Sequence, residues 1–219
     1  MKIGFVGAGN IGQGLARLAV TAGDEVVLSN SRGPDSLHDL AGALGAEAAT
    51  VEEAVRQADF AVLTVPFTSV FTIDPAIFEG KVVLDTNNYY PTRDGAIAAL
   101  DENVTTTSEM VQQHLAGATV VKAFNAIMAR DLVAPFGLPG RRRALPVAAD
   151  DEDALAVARA FHERIGFEAV TAGSLAESWR FERAKPAYCI PLDRDGLVAA
   201  LAEAERDVEL PHNSWKRDD

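Results

Sequence analysis

Three glycines near the start of the chain carry the most specific chemical signal. Gly7, Gly9 and Gly12 stand in a GxGxxG spacing. The motif follows the apolar run Lys2 to Val6 and opens a helix-period stretch with Leu15, Leu18, Ala19 and Ala22. In that context the spacing predicts a cradle for a dinucleotide pyrophosphate. Gly7 permits a tight turn, Gly9 lets backbone approach a phosphate, and Gly12 lets the helix pack closely on the strand. The N–H groups of Asn10 and Ile11, at the helix start, would meet the phosphates. The plain alternative is a glycine turn without a ligand.

The end of the second strand selects the cofactor. An NAD site places Asp or Glu about 20 residues beyond the glycines, on the ribose 2′-hydroxyl. This chain has Ser29, Asn30, Ser31 and Arg32 there. No carboxylate repels a 2′-phosphate, and Arg32 can form a charge-assisted contact with it. Asn30 and Ser31 can donate further hydrogen bonds. The expectation is NADP(H) rather than NAD(H). The alternative is that Arg32 is a surface turn residue.

Three other strand ends face the same crevice in a doubly wound sheet. They are Thr64-Val65-Pro66-Phe67, Thr86-Asn87-Asn88-Tyr89-Tyr90 and Ala123-Phe124-Asn125-Ala126. They supply amides and aromatic faces near the expected nicotinamide, so Thr64, Pro66, Phe67, Asn87, Ala123 and Asn125 join the candidate site. Each also reads as a strand-end residue that satisfies backbone groups. Phe67, Tyr89, Tyr90 and Phe124 either line a cavity or merely pack.

No obvious general acid or base appears. A Tyr-x-x-x-Lys pair is absent, because Arg93, Asp94 and Leu192 stand four residues after Tyr89, Tyr90 and Tyr188. There is no HExxH, GxSxG or P-loop pattern. His38, His114, His162 and His212 fall in helical or tail segments and read as surface or packing residues. One reaction type needs no such group. A nicotinamide can pass hydride directly to another planar redox group, with the protein supplying orientation and exclusion of water.

The elements that must position these residues alternate. Further strand runs are Glu25 to Ser29, Ala46 to Ala49, Phe60 to Val65, Lys81 to Asp85, Thr119 to Phe124 and Ala144 to Ala148, with Phe167 to Val170 as an edge strand. Thr50 and Glu53 have capping-box spacing before a helix. Asp150 to Asp153 reads as a helix cap, not a metal site. Continuous apolar strands between helices predict an α/β fold with a mostly parallel, doubly wound sheet over 1–173. Residues 174–219 read as a C-terminal extension with one helix near Arg194 to Arg206, without a core of its own. It serves as a dimer interface or pocket cover.

The chain has 219 residues, 48% hydrophobic and 24% charged, with a net charge of −12. Disordered and coiled-coil architectures do not fit this composition. The negative charge argues against nucleic acid and anionic membrane as partners. The basic run Arg141-Arg142-Arg143 reads as a solvated loop. A single cysteine, Cys189, excludes an intrachain disulfide and fits the cytoplasm. No signal-peptide pattern or membrane-length apolar run is present.

The sequence resembles the NADPH-dependent F420 reductases, the coenzyme F420-dependent NADP oxidoreductases. The resemblance rests on Ile3 to Gly12, Ser31-Arg32, Leu63 to Pro66, Val120 to Asn125 and Ala172 to Leu175. It is also similar to the cytosolic NADPH domain of membrane ferric reductases, which shares the Lys-Ala-Phe-Asn stretch. The resemblance implies a Rossmann fold, NADP(H) in the crevice, F420 stacked on the nicotinamide, and a homodimer joined through C-terminal segments. It carries Gly7, Gly9, Asn10, Ile11, Ser31 and Arg32 over as NADP contacts. Thr64, Pro66 and Phe67 would lie along the cofactor, with Asn125 near the ring. The family's archetypes have a His where this chain has Asn125, and an apolar helix where it has the polar stretch Glu177 to Asp219. Flavins, quinones or other small acceptors therefore remain open beside F420. Any of Arg141 to Arg143 would receive the anionic tail of F420. A non-catalytic NADP(H)-sensing module would share the same cradle.

Overall fold

Strand and helix alternate from the first residue. The first half runs β1 (Lys2–Val6), α1 (Asn10–Thr21), β2 (Glu25–Ser29), α2 (His38–Leu44), β3 (Glu47–Ala48), α3 (Val51–Arg56) and β4 (Phe60–Leu63). Then follow the single turn α4 (Phe67–Val70), β5 (Val82–Asp85), the short turns α5 (Pro91–Asp94) and α6 (Ala98–Asp101), α7 (Thr107–His114) and β6 (Thr119–Lys122). The computed structural model describes residues 1–132, 138, 140–211 and 214–215. Six parallel strands form one sheet in the order β3-β2-β1-β4-β5-β6. This is the strand order of the Rossmann fold, as the sequence predicts. Its direction reverses between β1 and β4, which opens a crevice beyond the carboxyl ends of those strands.

The alternation along each strand builds two cores. Ile3 and Phe5 face one side with Val26, Leu28, Phe60, Val62 and Leu84, under Leu15 of α1. Val6, Ala61, Leu63 and Val83 face the other, under Val55 of α3 and Val111 of α7. A buried strand must satisfy both faces, which explains the continuous apolar runs. Gly4 sits where α3 touches the sheet; a Cβ there would lie 2.4 Å from the Ala54 carbonyl oxygen.

The caps read from sequence form. Thr50 and Glu53 make a reciprocal capping box at α3. The later elements are β7 (Ala144–Val147), α8 (Glu152–Arg164), β8 (Glu168–Thr171) and α9 (Arg194–Glu203). Asp151 caps α8 through the Ala154 N–H at 2.8 Å.

One expectation needs correction. The last two strands do not extend the main sheet in parallel. β7 and β8 pair with each other, and an antiparallel bridge between Lys122 and Ala148 joins them to β6. An apolar run records burial but not which edge the strand joins. The segment after Gly173 also contributes a third apolar cluster. Phe181, Tyr188, Leu197 and Leu201 pack there with Ala144, Ala148 and Val170. Small residues and widely spaced aromatics on one chain segment hide a cluster that forms only against β7, β8 and the segment after β6.

Candidate dinucleotide and acceptor crevice

The glycine loop is held by its neighbours. Gly7 has φ +112°, a conformation that favours glycine, and its N–H donates to the Ser29 carbonyl at 3.0 Å. The Thr64 hydroxyl donates to the Gly7 carbonyl at 2.7 Å. Gln13 reaches back from α1 to the Ala8 carbonyl at 2.8 Å. The sequence reading missed Gln13; a polar residue one turn into the helix gave no distinctive signal.

The glycines do different work. A Cβ on Gly12 would lie 2.4 Å from the Gly7 carbonyl oxygen and 2.7 Å from the Thr64 hydroxyl oxygen, so this glycine serves helix–strand contact. A Cβ on Gly9 would meet nothing within 4 Å. Gly9 borders open space. It is also the N-cap of α1, where no side chain caps the helix and no acid stands in the first turn. Uncapped N–H groups and the positive end of the helix dipole suit an anion.

Two cavities meet at this rim, sharing Gly9, Thr64, Val65 and Pro66. The first, about 580 Å³, runs from Gly7 to Asn30, Ser31 and Arg32 and is flanked by Val51 and Ile73. Among the described residues, no carboxylate lines it, although the chain is strongly acidic. The Asn30 side chain accepts from the Arg32 N–H at 2.8 Å and so shapes the turn that presents Ser31 and Arg32. Arg32 is exposed, and its guanidinium forms no ion pair among the described residues. The room beside Gly9, the uncapped helix start and the carboxylate-free turn together fit NADP(H).

The second cavity, about 510 Å³, is lined by Asn10, Ile11, Asn87, Asn88, Tyr90, Arg93, Phe124, Asn125 and Tyr188, among others. A buried polar network sets its floor. The Lys122 ammonium, wholly buried, donates to the Asn87 carbonyl at 2.6 Å and to the Thr107 hydroxyl. The same ammonium lies 3.6 Å from Asp85 and 3.6 Å from Glu182. Asp85 accepts from the Asn87 side chain at 2.7 Å and from the Ser108 hydroxyl. Burying these charges costs free energy that their mutual pairing must offset. The pairing fixes the loop after β5.

Asn125 links three segments. Its amide nitrogen donates to Asn88 Oδ1 at 3.0 Å and to the Phe181 carbonyl at 2.9 Å, while Asn88 donates to the Asn125 carbonyl at 2.9 Å. Phe124 has φ +55°, strained for a residue with a Cβ, and stacks on His162 at 3.8 Å and 6°. His162 is a packing residue, as expected. Burial pushes its pKa down to about 4, opposed by the hydrogen bond to Ala158. His212 lies outside the described residues.

The structure gathers Gly7, Gly9, Asn10, Ile11, Asn30, Ser31, Arg32, Thr64, Pro66, Asn87 and Asn125 along the crevice. Gly12, Phe67 and Ala123 do not line it. Phe67 is wholly buried and packs edge-on against Phe71 and Tyr89. Ala123 is wholly buried and its N–H donates to the Asp85 carbonyl at 3.0 Å. Both therefore shape the walls from behind. The Tyr89 hydroxyl is held by Asp101 at 2.9 Å and the Gly95 carbonyl at 3.0 Å, so Tyr89 packs while Tyr90 reaches the cavity.

Arg141 and Arg142 are exposed loop residues, as read, and Arg143 needs correction. Arg143 is wholly buried and pairs with Asp131 at 2.7 Å. Arg142 pairs with Glu163 at 2.8 Å, and Arg141 with Asp193. None of the three lines the crevice. Only Arg143 is drawn inside, by a partner that neighbouring sequence does not reveal.

Fold and site together define a Rossmann-type dinucleotide-binding protein. Residues 2–89 match the family model of the coenzyme F420-dependent NADP oxidoreductases, the family the sequence resembles. Among solved structures, a hypothetical protein from Sinorhizobium meliloti is 29% identical, with a TM-score of 0.79 over 89% of this chain and 96% of that one. A proposed F420-dependent NADP reductase from Arthrobacter is 22% identical, with a TM-score of 0.69 over 81% and 87%. 3-Hydroxyisobutyrate dehydrogenase from Mycobacterium tuberculosis is 21% identical, with a TM-score of 0.57 over 78% of this chain and 54% of that one. The last two likenesses speak to the fold. No curated protein matches the chain. Among the described residues, no helix is long and apolar enough to cross a membrane.

Proposed function

We propose that this protein is an NADP(H)-dependent oxidoreductase that moves hydride between NADPH and a planar acceptor of deazaflavin or flavin type, coenzyme F420 first among them. The observation that carries this reading is the pair of joined cavities. One offers a carboxylate-free, cationic turn, and the other offers aromatic walls. They meet where the glycine loop leaves open space.

Gly7, Gly9, Asn10 and Ile11 would hold the pyrophosphate, and Arg32 with Ser31 the 2′-phosphate. Bound there, NADPH supplies the hydride. Thr64, Val65 and Pro66 form the rim between the two halves. The Lys122 network and the Asn88–Asn125 pair keep the far walls fixed, which would orient two flat rings against each other and exclude water. A sensing module would need only the first cavity; the aromatic second cavity favours the enzyme.

Direct transfer is tested with NADPH deuterated at the reactive carbon. With F420, which takes the hydride on carbon, the label must appear in the reduced acceptor, and label lost to water overturns direct transfer. The resemblance further suggests a cytoplasmic homodimer joined through residues 174–219, and light scattering on the purified chain tests the dimer.

A further inference from the structure

The sequence offered no proton donor for the acceptor, yet the folded chain brings one into the second cavity. Tyr90, from the loop after β5, and Tyr188, from the C-terminal segment, join hydroxyl to hydroxyl across 98 residues of sequence. Both line the same cavity as Asn10 and Ile11 of the cradle. Tyr188 is buried, whereas Tyr90 is half-buried. Building on the oxidoreductase reading, we infer that Tyr90 donates a proton to the hydride acceptor and that Tyr188 supports it by donating to the Tyr90 oxygen. The acceptor class is then a conjugated ring whose reducible carbon is joined to a carbonyl oxygen or ring nitrogen, not a one-electron acceptor such as a metal ion.

The step balances. Hydride forms a bond to the acceptor carbon. The π electron pair moves to the conjugated oxygen or nitrogen, which takes the Tyr90 proton. The resulting phenolate keeps the hydrogen bond from Tyr188, and water returns the proton after release.

The surroundings assign the roles within the pair. The Arg93 guanidinium lies 4.8 Å from the centre of the Tyr90 ring and would stabilise a phenolate there. Asp94 holds that guanidinium at 2.8 Å, so Arg93 keeps its place. Burial pushes both tyrosines above the ordinary phenol range. Tyr90, the more exposed of the two and the one with Arg93 over its ring, is therefore the member that gives up its proton. Both remain protonated at neutral pH, as a donor must.

The test compares the wild type with Tyr90→Phe and Tyr188→Phe, which keep the rings. The probes are oxidised F420 and 4-nitrophenolate, a dye whose charged oxygen imitates the one that forms as hydride arrives. NADPH binding, followed by nicotinamide fluorescence, should be unchanged in both variants. Loss of positioned proton transfer should slow single-turnover F420 reduction by about 10²- to 10⁴-fold in Tyr90→Phe. The solvent isotope effect should vanish with it. The NADP⁺-loaded wild type should bind 4-nitrophenolate about tenfold or more tightly than either variant, as expected for a lost hydrogen bond to a charged oxygen. Equal dye affinity in all three proteins, or no dye binding to the wild type, overturns the inference. F420 reduction in Tyr90→Phe at the wild-type rate overturns it as well. An F420-inert wild type that still shows the dye difference would refute the F420 reading and leave the tyrosine pair standing.

Discussion

The Lys122 ammonium lies 2.6 Å from the Asn87 carbonyl oxygen, at the end of the neighbouring strand, and both residues are buried. A lysine inside a sheet of apolar strands therefore acts as a clamp on the loop that carries Asn88 and Tyr90. Asp85 and Glu182 supply the countercharge, each 3.6 Å away. Replacing Lys122 with Met keeps the volume and removes the charge, which strands two carboxylates. Breaking a buried pair in this way costs about 3–5 kcal/mol. Urea unfolding should show that loss, and adding Asp85→Asn to Lys122→Met should recover part of it. A cost below about 1 kcal/mol would mean that the network is solvated.

Arg32 should decide between cofactors. Its charge-assisted hydrogen bonds to a 2′-phosphate are worth about 1.5–3 kcal/mol each. Arg32→Ala should therefore weaken NADPH by about 10- to 100-fold and leave NADH within about twofold. Fluorescence titration with both nucleotides reads the difference. Equal weakening would make Arg32 part of the loop's architecture.

Gly9 and Gly12 should separate binding from folding. Gly9→Val adds a side chain where a Cβ meets no protein atom, so the fold should persist while NADPH and NADH binding are lost. Gly12→Ala forces a Cβ toward the Gly7 carbonyl at 2.4 Å, so it should lower the thermal midpoint. Unchanged NADPH affinity in folded Gly9→Val would refute the cradle.

His162 should leave a mark on acid stability. Its pKa is about 4 in the folded chain, against 6.5 for an unperturbed imidazole. Between those values the unfolded chain binds the extra proton, so stability falls as pH drops through that window. The contribution is complete above about pH 6.5 and flattens below about pH 4, with a total on the order of 3 kcal/mol. His162→Phe keeps a ring against Phe124 and removes this proton uptake. Urea midpoints measured from pH 7 to 4 should decline less steeply in His162→Phe. Parallel declines would show that His162 titrates normally.

Local pattern made much of the molecule legible. The glycine spacing, the apolar runs of β1 to β6 and the Thr50–Glu53 box each lie within a few residues, and each forms as expected. What escaped depends on partners far apart in sequence. Tyr90 and Tyr188 meet only because the C-terminal segment folds back over the loop after β5. Arg143 looks solvated until Asp131 is placed beside it. Phe67 and Ala123 stand at strand ends as read, but their side chains turn into the core. A strand end announces the crevice, while the direction of each side chain depends on what packs behind it.

The most direct measurement mixes the purified protein anaerobically with NADPH and oxidised F420 and follows absorbance. Rapid bleaching of the deazaflavin band, with one NADPH consumed per F420, is the predicted result. Tight NADPH binding with no oxidation by F420, a flavin or a quinone would contradict the enzyme reading and point to a sensor.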